Sequence, residues 1–158
     1  MKRFSYALVI ALAVLFGALA NDLSADRDTA SPAEKEAQLD QRETVNFNRE
    51  QAHFALMQMR GLLETLVLMD EAEADADFAA MANAATLQTP GQTPRHPEGF
   101  HDAMPDEFRA MSQQMRKGFT RAAAAAQAGD LDTYFIAKRQ VQGTCVACHE
   151  GYRIPNVR

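Results

Sequence analysis

Two cysteines and a histidine near the end of the chain have the spacing of a covalent haem-attachment site. Cys145 and Cys148 are the only cysteines among the 158 residues, and His149 follows directly. In a C-x-x-C-H pattern, two thiols one helical turn apart each form a thioether with one porphyrin, and the adjacent imidazole is directed at the iron. We therefore predict one covalent haem c on Cys145 and Cys148, with His149 as the proximal iron ligand.

Three other uses of a C-x-x-C pair compete with haem attachment. A redox dithiol is expected beside a β-α-β pattern, which the sequence lacks. A zinc site needs about four ligands, and no second C-x-x-C or C-x-x-H cluster is present to complete one. A disulfide is compatible with the spacing alone, but the following histidine and the export signal described next favour haem.

The N-terminus has the three parts of a secretory signal peptide. Met1–Arg3 is positive, Tyr6–Leu19 is apolar apart from one glycine, and a small-x-small end closes at Ala20. We predict that residues 1–20 are a signal peptide cleaved after Ala20 and that the protein is periplasmic. The apolar run is shorter than the roughly 20 residues of a membrane span, so the membrane is a partner only if this segment is retained.

Composition favours one helical domain and argues against a nucleic-acid partner. The formal net charge is -5, and the sequence has no basic stripe of the kind that binds nucleic acid. Alanine is abundant and β-branched runs are scarce, which favours helices. We expect a flexible leader at residues 21–30 and a single domain at residues 31–158.

Capping signals and apolar spacing predict four helices. A capping box at Ser31–Glu34 starts the first, and Asp130 caps the last. The predicted helices cover about residues 31–69, 78–87, 105–128 and 131–153. The first helix is expected to bury the apolar residues Val45, Ala52, Leu56, Met59, Leu63 and Leu66. Residues 89–105 contain four prolines, which predicts an irregular loop. The fold class is therefore all-α, an antiparallel four-helix bundle with haem on its C-terminal helix.

The C-terminal part of the chain resembles the class II cytochromes c, the cytochrome c′ family. The most specific segment is Ala124–Arg153, with an Ala-Gly-Asp-Leu turn, a helix and C-x-x-C-H-x-x-Tyr-Arg; a looser resemblance covers residues 42–154. The resemblance implies the thioethers and proximal ligand predicted above, with Arg153 close to the proximal face. It also permits a homodimer through the first two helices.

The resemblance places the sixth iron position on the first helix. The family has an arginine four residues before the distal residue and often a glycine eight residues after it, and Arg49 and Gly61 bracket His53 in this way. The cytochromes c′ proper have an apolar or aromatic residue there, and a low-spin branch has methionine. Because imidazole is a good iron ligand, we predict His53 as the distal ligand of a six-coordinate haem. Arg49 is the predicted partner of a haem propionate.

Other distal arrangements stay open. A register one turn later would offer Met57, with Met59 two residues further, and the position could instead be open or blocked, with His53 only near the haem. If a protein side chain occupies the sixth position, the iron is closed to other ligands, which predicts an electron carrier that is not an enzyme. Its partners would then be periplasmic redox proteins. An open iron predicts a five-coordinate protein that binds nitric oxide or carbon monoxide. We favour the carrier.

Overall fold

The structure, a computed structural model, describes Ser31, Lys35, residues 39–92 and residues 94–155. The predicted signal peptide and leader lie outside these residues, so they stay predictions. One compact unit, Arg42–Arg158, contains every element that follows. The elements are β1 (Glu43–Thr44), α1 (Arg49–Ala74), α2 (Phe78–Thr86), α3 (Asp106–Gln127), α4 (Leu131–Gly151) and β2 (Tyr152–Arg153). The predicted four-helix bundle is confirmed, and none of the described helices is long and apolar enough to cross a membrane.

The chain enters the bundle as an extended segment, and the prediction of a helix running unbroken to Met69 is wrong. Residues 43–48 are not helical, and α1 begins only after Asn48. The side chain of Asn48 accepts a hydrogen bond from the Gln51 amide at 2.9 Å, and the Gln51 side chain accepts one from the Asn48 amide at 3.0 Å. This reciprocal capping box fixes the helix start. Tertiary contacts hold the segment before it, since Val45 is fully buried and Phe47 stacks on Phe100.

The two short strands show how the first and last helices are arranged. β1 pairs in parallel with β2, with Glu43 opposite Tyr152 and Thr44 opposite Arg153. The start of α1 and the end of α4 therefore lie at the same end of the bundle, and the two helices run antiparallel. Consecutive helices pack closely, but α1 and α4 approach each other less closely than any consecutive pair. We call the space between them the α1–α4 gap.

The apolar core consists of two separate clusters along the bundle. Cluster one includes Met69, Met81, Phe119, Tyr134 and Val141, with Leu62, Leu66 and Cys145 packed at its edge. Cluster two includes Val45, Phe47, Phe54, Phe100, Met104 and Tyr152, with Phe108 and Met111 at its edge. The proline-rich loop supplies Phe100 and Met104, so it is part of the core. The residues at the level of the bundle between cluster one and cluster two belong to neither cluster.

The buried stripe of α1 differs from the predicted one. The inward positions follow three- and four-residue steps and are Gln51, Ala55, Gln58, Leu62, Thr65, Met69 and Ala72. Ala52 is buried as predicted, but Leu56 and Leu63 are 43% and 64% exposed. Polar residues occupy the inward side because other elements satisfy them: Gln51 donates to the Glu98 carbonyl at 2.8 Å, and Thr65 accepts from Gln88 at 2.8 Å. Hydrogen-bonded polar groups are tolerated in a core, so the helix is rotated by about one residue.

Candidate functional site

Both cysteines lie on α4 at the border between the two apolar clusters. Cys145 and Cys148 are half-buried and are not linked to each other or to another cysteine. Cys145 packs against cluster one, whereas the Sγ of Cys148 lies 3.8 Å from the Sδ of Met111, at the edge of cluster two. Burial raises the pKa of both thiols, and the neighbouring Cys145 raises that of Cys148 further.

The last turn of α4 is fixed to the strand pair. The His149 carbonyl accepts a hydrogen bond from Nη1 of Arg42 at 3.1 Å, and Nε of the half-buried Arg153 donates to the Arg42 carbonyl at 3.4 Å. The His149 side chain is exposed. Among the described residues it makes no hydrogen bond, so the backbone is held while the imidazole nitrogens stay available.

Two helix faces border the α1–α4 gap, and we call them the α1 seam and the α4 seam. Both follow alternating three- and four-residue steps, the spacing with which one helix follows another. The α1 seam is Arg49, His53, Leu56, Arg60, Leu63, Val67 and Asp70. The α4 seam is Leu131, Phe135, Lys138, Gln142, Cys145 and His149. The seams meet where Nζ of Lys138 contacts the Asp70 carboxylate and lies 2.6 Å from Glu73. Beyond that contact, both seams run toward the end of the bundle that carries the haem-attachment turn.

Apolar side chains line this gap without burying one another. Leu56, Leu63 and Val67 of the α1 seam are exposed, and all three lie between the Lys138–Asp70 contact and the end of the bundle that carries the haem-attachment turn. Leu131 and Phe135 of the α4 seam are also exposed, but they lie on the other side of that contact. Facing helices normally bury such residues against each other. An apolar group between the helices would cover them. The thiols, the imidazole of His149 and this apolar lining therefore fit a covalently attached haem.

The structure places the predicted distal-side residues on different faces of α1. His53 and Arg49 are exposed members of the α1 seam; neither side chain makes a hydrogen bond or ion pair with the described residues. Met57 faces away, into a groove of about 310 Å³ that Gly61 and Gln88 also line. Met59 is half-buried beside the seam. The seam thus brings His53 to the same gap as His149 and leaves Met57 outside it.

A polar network in the middle of the bundle was not predicted from the sequence. Arg116 of α3 donates to Oε1 of Gln58 at 3.1 Å, and to the carbonyl and Oε1 of Gln88 at 3.2 and 2.8 Å. Gln88 also donates to Thr65. The sequence contained a signal for this network, because Gln58 is a polar residue at helical spacing between the apolar Ala55 and Leu62.

Comparison with known families decides between the uses of this site. The family model described as Cytochrome C′ matches residues 46–153, which include both seams and the haem-attachment turn. The chain belongs to the cytochrome c′ family. It is therefore a c-type cytochrome, and family membership implies covalently bound haem with its iron. Proteins of this family are generally haem electron carriers or ligand binders rather than enzymes in the usual sense.

The comparisons with curated proteins and with solved structures add nothing to the family match. No curated protein and no solved structure matches the chain. Among the described residues, no group of three or more His, Cys, Asp or Glu side chains is arranged to bind a metal ion directly. The residues that would hold the iron through haem are Cys145, Cys148 and His149.

Proposed function

We propose that this cytochrome carries single electrons in the periplasm through one haem c closed by two histidines. Cys145 and Cys148 hold the haem, His149 is the proximal ligand and His53 the distal ligand. The observation that supports this proposal is the position of both histidines on the two seams that border the α1–α4 gap. Haem supplies a reversible one-electron couple; the protein positions it and limits access.

The chemistry of His53 supports its assignment over the other histidines of the bundle. The His53 ring makes no hydrogen bond or ring contact with the described residues, so both nitrogens are available to iron. His96 and His101, in contrast, are in the proline-rich loop, with ring centroids 4.5 Å apart. His96 also packs against Phe54. These two histidines therefore belong to cluster two and its surface rather than to the gap.

Each remaining residue of the site has a defined part in this proposal. The exposed leucines of the α1 seam would exclude water from the haem face. Arg49, one turn before His53, would pair with a propionate of the haem. Arg153 donates a hydrogen bond to the Arg42 carbonyl and would fix the position of the attachment turn on the proximal side of the haem. Partners would then contact an exposed haem edge, and we propose periplasmic redox proteins for that role.

The absorption spectrum of purified holoprotein tests the proposal, in both oxidation states and with and without carbon monoxide. Closed iron predicts sharp low-spin bands that carbon monoxide leaves unchanged. His53→Ala should convert the spectrum to a high-spin form that responds to the gas. The matched control is His101→Ala, a histidine that lies outside the gap and should leave the bands unchanged. A wild-type spectrum that is already high-spin and gas-sensitive would reject closure by His53.

The second candidate is a five-coordinate protein that binds nitric oxide or carbon monoxide, and one observation favours it. His149 lies eleven residues after Lys138, and Met59 lies eleven residues before Asp70. Because the helices run antiparallel from the Lys138–Asp70 contact, His149 is level with Met59. His53 is six residues further, about 9 Å along the helix, whereas Leu56 is nearer. An apolar Leu56 over the iron would leave it open to small gases.

Export and self-association are proposals with simple tests. Cell fractionation with a C-terminal tag, followed by N-terminal sequencing, should find the protein in the periplasm starting at Asn21. Uncut protein in the membrane fraction would mean that residues 1–20 anchor it. A homodimer should appear in light scattering of the holoprotein at micromolar concentration, and a monomer mass would exclude it at that concentration.

A further inference from the structure

Charged residues are distributed unevenly along this chain. Residues 61–94 contain six Asp and Glu and no Lys or Arg, whereas residues 108–129 contain four Lys and Arg and no Asp or Glu. Residues 133–149, which include the attachment cysteines, contain two more Lys and Arg and again no acid. The second half of α1 and all of α2 are therefore acidic, whereas α3 and most of α4 are basic beyond their first turns.

Three of the basic side chains are exposed on the side of the bundle that α3 and α4 form. Lys117 and Arg121 are one turn apart on α3, and Arg139 is on α4. Arg121 donates a hydrogen bond across the two helices to Oε1 of Gln140, the residue after Arg139. Lys117 and Arg139 make no hydrogen bond or ion pair with the described residues. We call this exposed side of α3 and α4 the basic face; its cations are available to an anionic partner.

A groove on the basic face reaches the haem-attachment turn. Sδ of Met111, in its lining, lies 3.8 Å from Sγ of Cys148. Thr144 and Ala147, also in the lining, each precede an attachment cysteine. The groove has a volume of about 450 Å³, and its lining residues are Met111, Gln114, Arg121, Gln140, Gly143, Thr144 and Ala147. A side chain of another protein in this groove would contact Met111, which itself contacts a sulfur that carries the haem.

Exposed apolar side chains accompany the charges of the basic face. Ile136 and Val146 of α4 are 50% and 56% exposed. They lie three residues before and seven residues after Arg139, spacings that put the three side chains on one side of a helix. Interfaces between proteins combine apolar contacts with a polar rim. The basic face offers both parts beside the attachment turn.

We propose that the basic face is the surface on which this cytochrome binds the acidic surface of a redox partner protein. The inference rests on the proposed electron carrier and names the chemistry of its partner. The cations of the face would contact carboxylates of the partner, which steers the two proteins together, and Ile136 and Val146 would be covered. One electron passes from whichever protein is reduced to the other, beside Cys148, and no covalent bond forms or breaks.

The salt dependence of electron transfer tests this proposal, because the whole molecule and the basic face have opposite charges. The formal net charge of the chain is -5, so an anionic oxidant that reacts anywhere on the surface is repelled, and salt speeds its reaction by screening. An anionic oxidant that reacts at the basic face is attracted, and salt slows it. Stopped-flow oxidation of the reduced holoprotein by hexacyanoferrate(III) should therefore slow as sodium chloride is added. A rate that rises with salt would overturn the proposal.

Charge-reversal variants locate the site of reaction. Lys117→Glu and Arg139→Glu change exposed side chains, so both variants should fold. At low ionic strength each should slow the reaction with hexacyanoferrate(III) roughly three- to tenfold. The matched control is Arg95→Glu, which makes the same change of charge at an exposed arginine of the proline-rich loop and should leave the rate close to that of wild type. Equal slowing in all three variants would mean that only net charge matters, against the proposal.

Binding of a redox-inert polyanion gives a test that does not depend on electron transfer. A dye-labelled oligoglutamate peptide is titrated with oxidised holoprotein at low ionic strength, and fluorescence anisotropy reports binding. We expect wild type and Arg95→Glu to bind the peptide alike, and Lys117→Glu and Arg139→Glu to bind it roughly threefold more weakly. Equal affinity in all four proteins would reject the basic face as the acceptor of an acidic surface.

A second copy of this chain also offers an acidic surface, in residues 61–94. Light scattering distinguishes it from a separate partner, since we expect the mass of the holoprotein to be the same at low and high salt. A larger mass at low salt that Lys117→Glu reduces would assign the basic face to self-association and overturn the partner assignment.

Failure of this inference and failure of the electron carrier give different results. A low-spin wild type whose reaction with hexacyanoferrate(III) is insensitive to Lys117→Glu and Arg139→Glu would keep the carrier and remove only the role of the basic face. A high-spin, gas-sensitive wild type would remove the two-histidine carrier, and the oligoglutamate titration would still decide whether the basic face binds an acidic partner.

Discussion

The Sγ of Cys148 lies 3.8 Å from the Sδ of Met111, so helix α3 directly contacts the turn that attaches the haem. Met111 is half-buried and packs at the edge of cluster two. Met111→Ala should therefore destabilise the holoprotein by about 1–2 kcal/mol, below the usual 2–5 kcal/mol for a fully buried methionine. Urea unfolding followed by circular dichroism measures this loss. Met111→Leu conserves the volume and should cost less than about 1.5 kcal/mol; equal losses in both variants would mean that the sulfur contact, not the volume, matters.

Lys138 is the ionic link between the two seams. Burial by itself lowers its pKa, but the hydrogen bonds and charges of Asp70 and Glu73 raise the pKa above its ordinary 10.5. Lys138→Met leaves the Glu73 carboxylate, with only 17% of its side chain exposed, without its partner. We expect a loss of about 2–3 kcal/mol, less than for a fully buried pair because Asp70 is largely exposed. Urea unfolding at neutral pH measures this loss.

The same pair predicts an alkaline effect. A raised pKa means that the folded protein holds the proton more tightly, so the stabilisation is complete below pH 10.5 and is lost as the pH rises through the folded-state pKa. Lys138→Met should lack this part of the alkaline loss of stability, and Lys117→Met, at a lysine outside the seams, should retain it. Identical alkaline slopes in wild type and Lys138→Met would contradict the prediction.

Gly118 allows the closest approach of α3 to α4. A Cβ at this position would lie 2.6 Å from Cγ2 of Val141, and Val141 is only 1% exposed and cannot move aside. Gly118→Ala should therefore destabilise the protein by roughly 1–3 kcal/mol through overpacking. Gly143, within α4, is the matched control, since a Cβ there would meet no other atom within 4 Å. Gly143→Ala should stabilise the helix by about 0.5–1 kcal/mol, and thermal unfolding measures both changes.

His96 predicts how stability changes in mild acid. Burial lowers its pKa below the ordinary 6.5, and the charges of His101 and Arg116 lower it further. Because the unfolded chain then takes up this proton more readily, the contribution of His96 is present above pH 6.5 and is lost as the pH falls. The stability of wild type should decline more steeply between pH 7 and pH 5 than that of His96→Gln. If the stability of wild type and of His96→Gln changes in parallel with pH, the charges of His101 and Arg116 do not lower the pKa of His96.

Local signals predicted most of the secondary structure. The starts of α2 and α4 follow from Asp77 and Asp130, whose side chains cap these helices, and α3 starts directly after Pro105. Capping is a local interaction, so the sequence by itself reveals it. The start of α1 was predicted too early, because the extended segment at residues 43–48 depends on distant partners such as Tyr152.

The orientation of α1 required the tertiary structure. Apolar spacing predicted Leu56 and Leu63 as buried, but polar residues such as Gln58 face inward and those leucines border the α1–α4 gap. A helix orients by the balance of burial and hydrogen bonding with its neighbours, and the partners of Gln58 and Thr65 lie outside α1.

The sequence by itself determined the haem-attachment pattern, because C-x-x-C-H requires only that its residues follow one another on a helix, and the family match agrees with it. It also determined the class of fold through capping residues and composition. Only the tertiary structure decided which residues of the other helices lie at the same level of the bundle as the haem-attachment turn. Met111, Gln58 and Arg116 are far from Cys148 in the chain, and packing between helices, which local sequence does not encode, brings them to one level of the bundle.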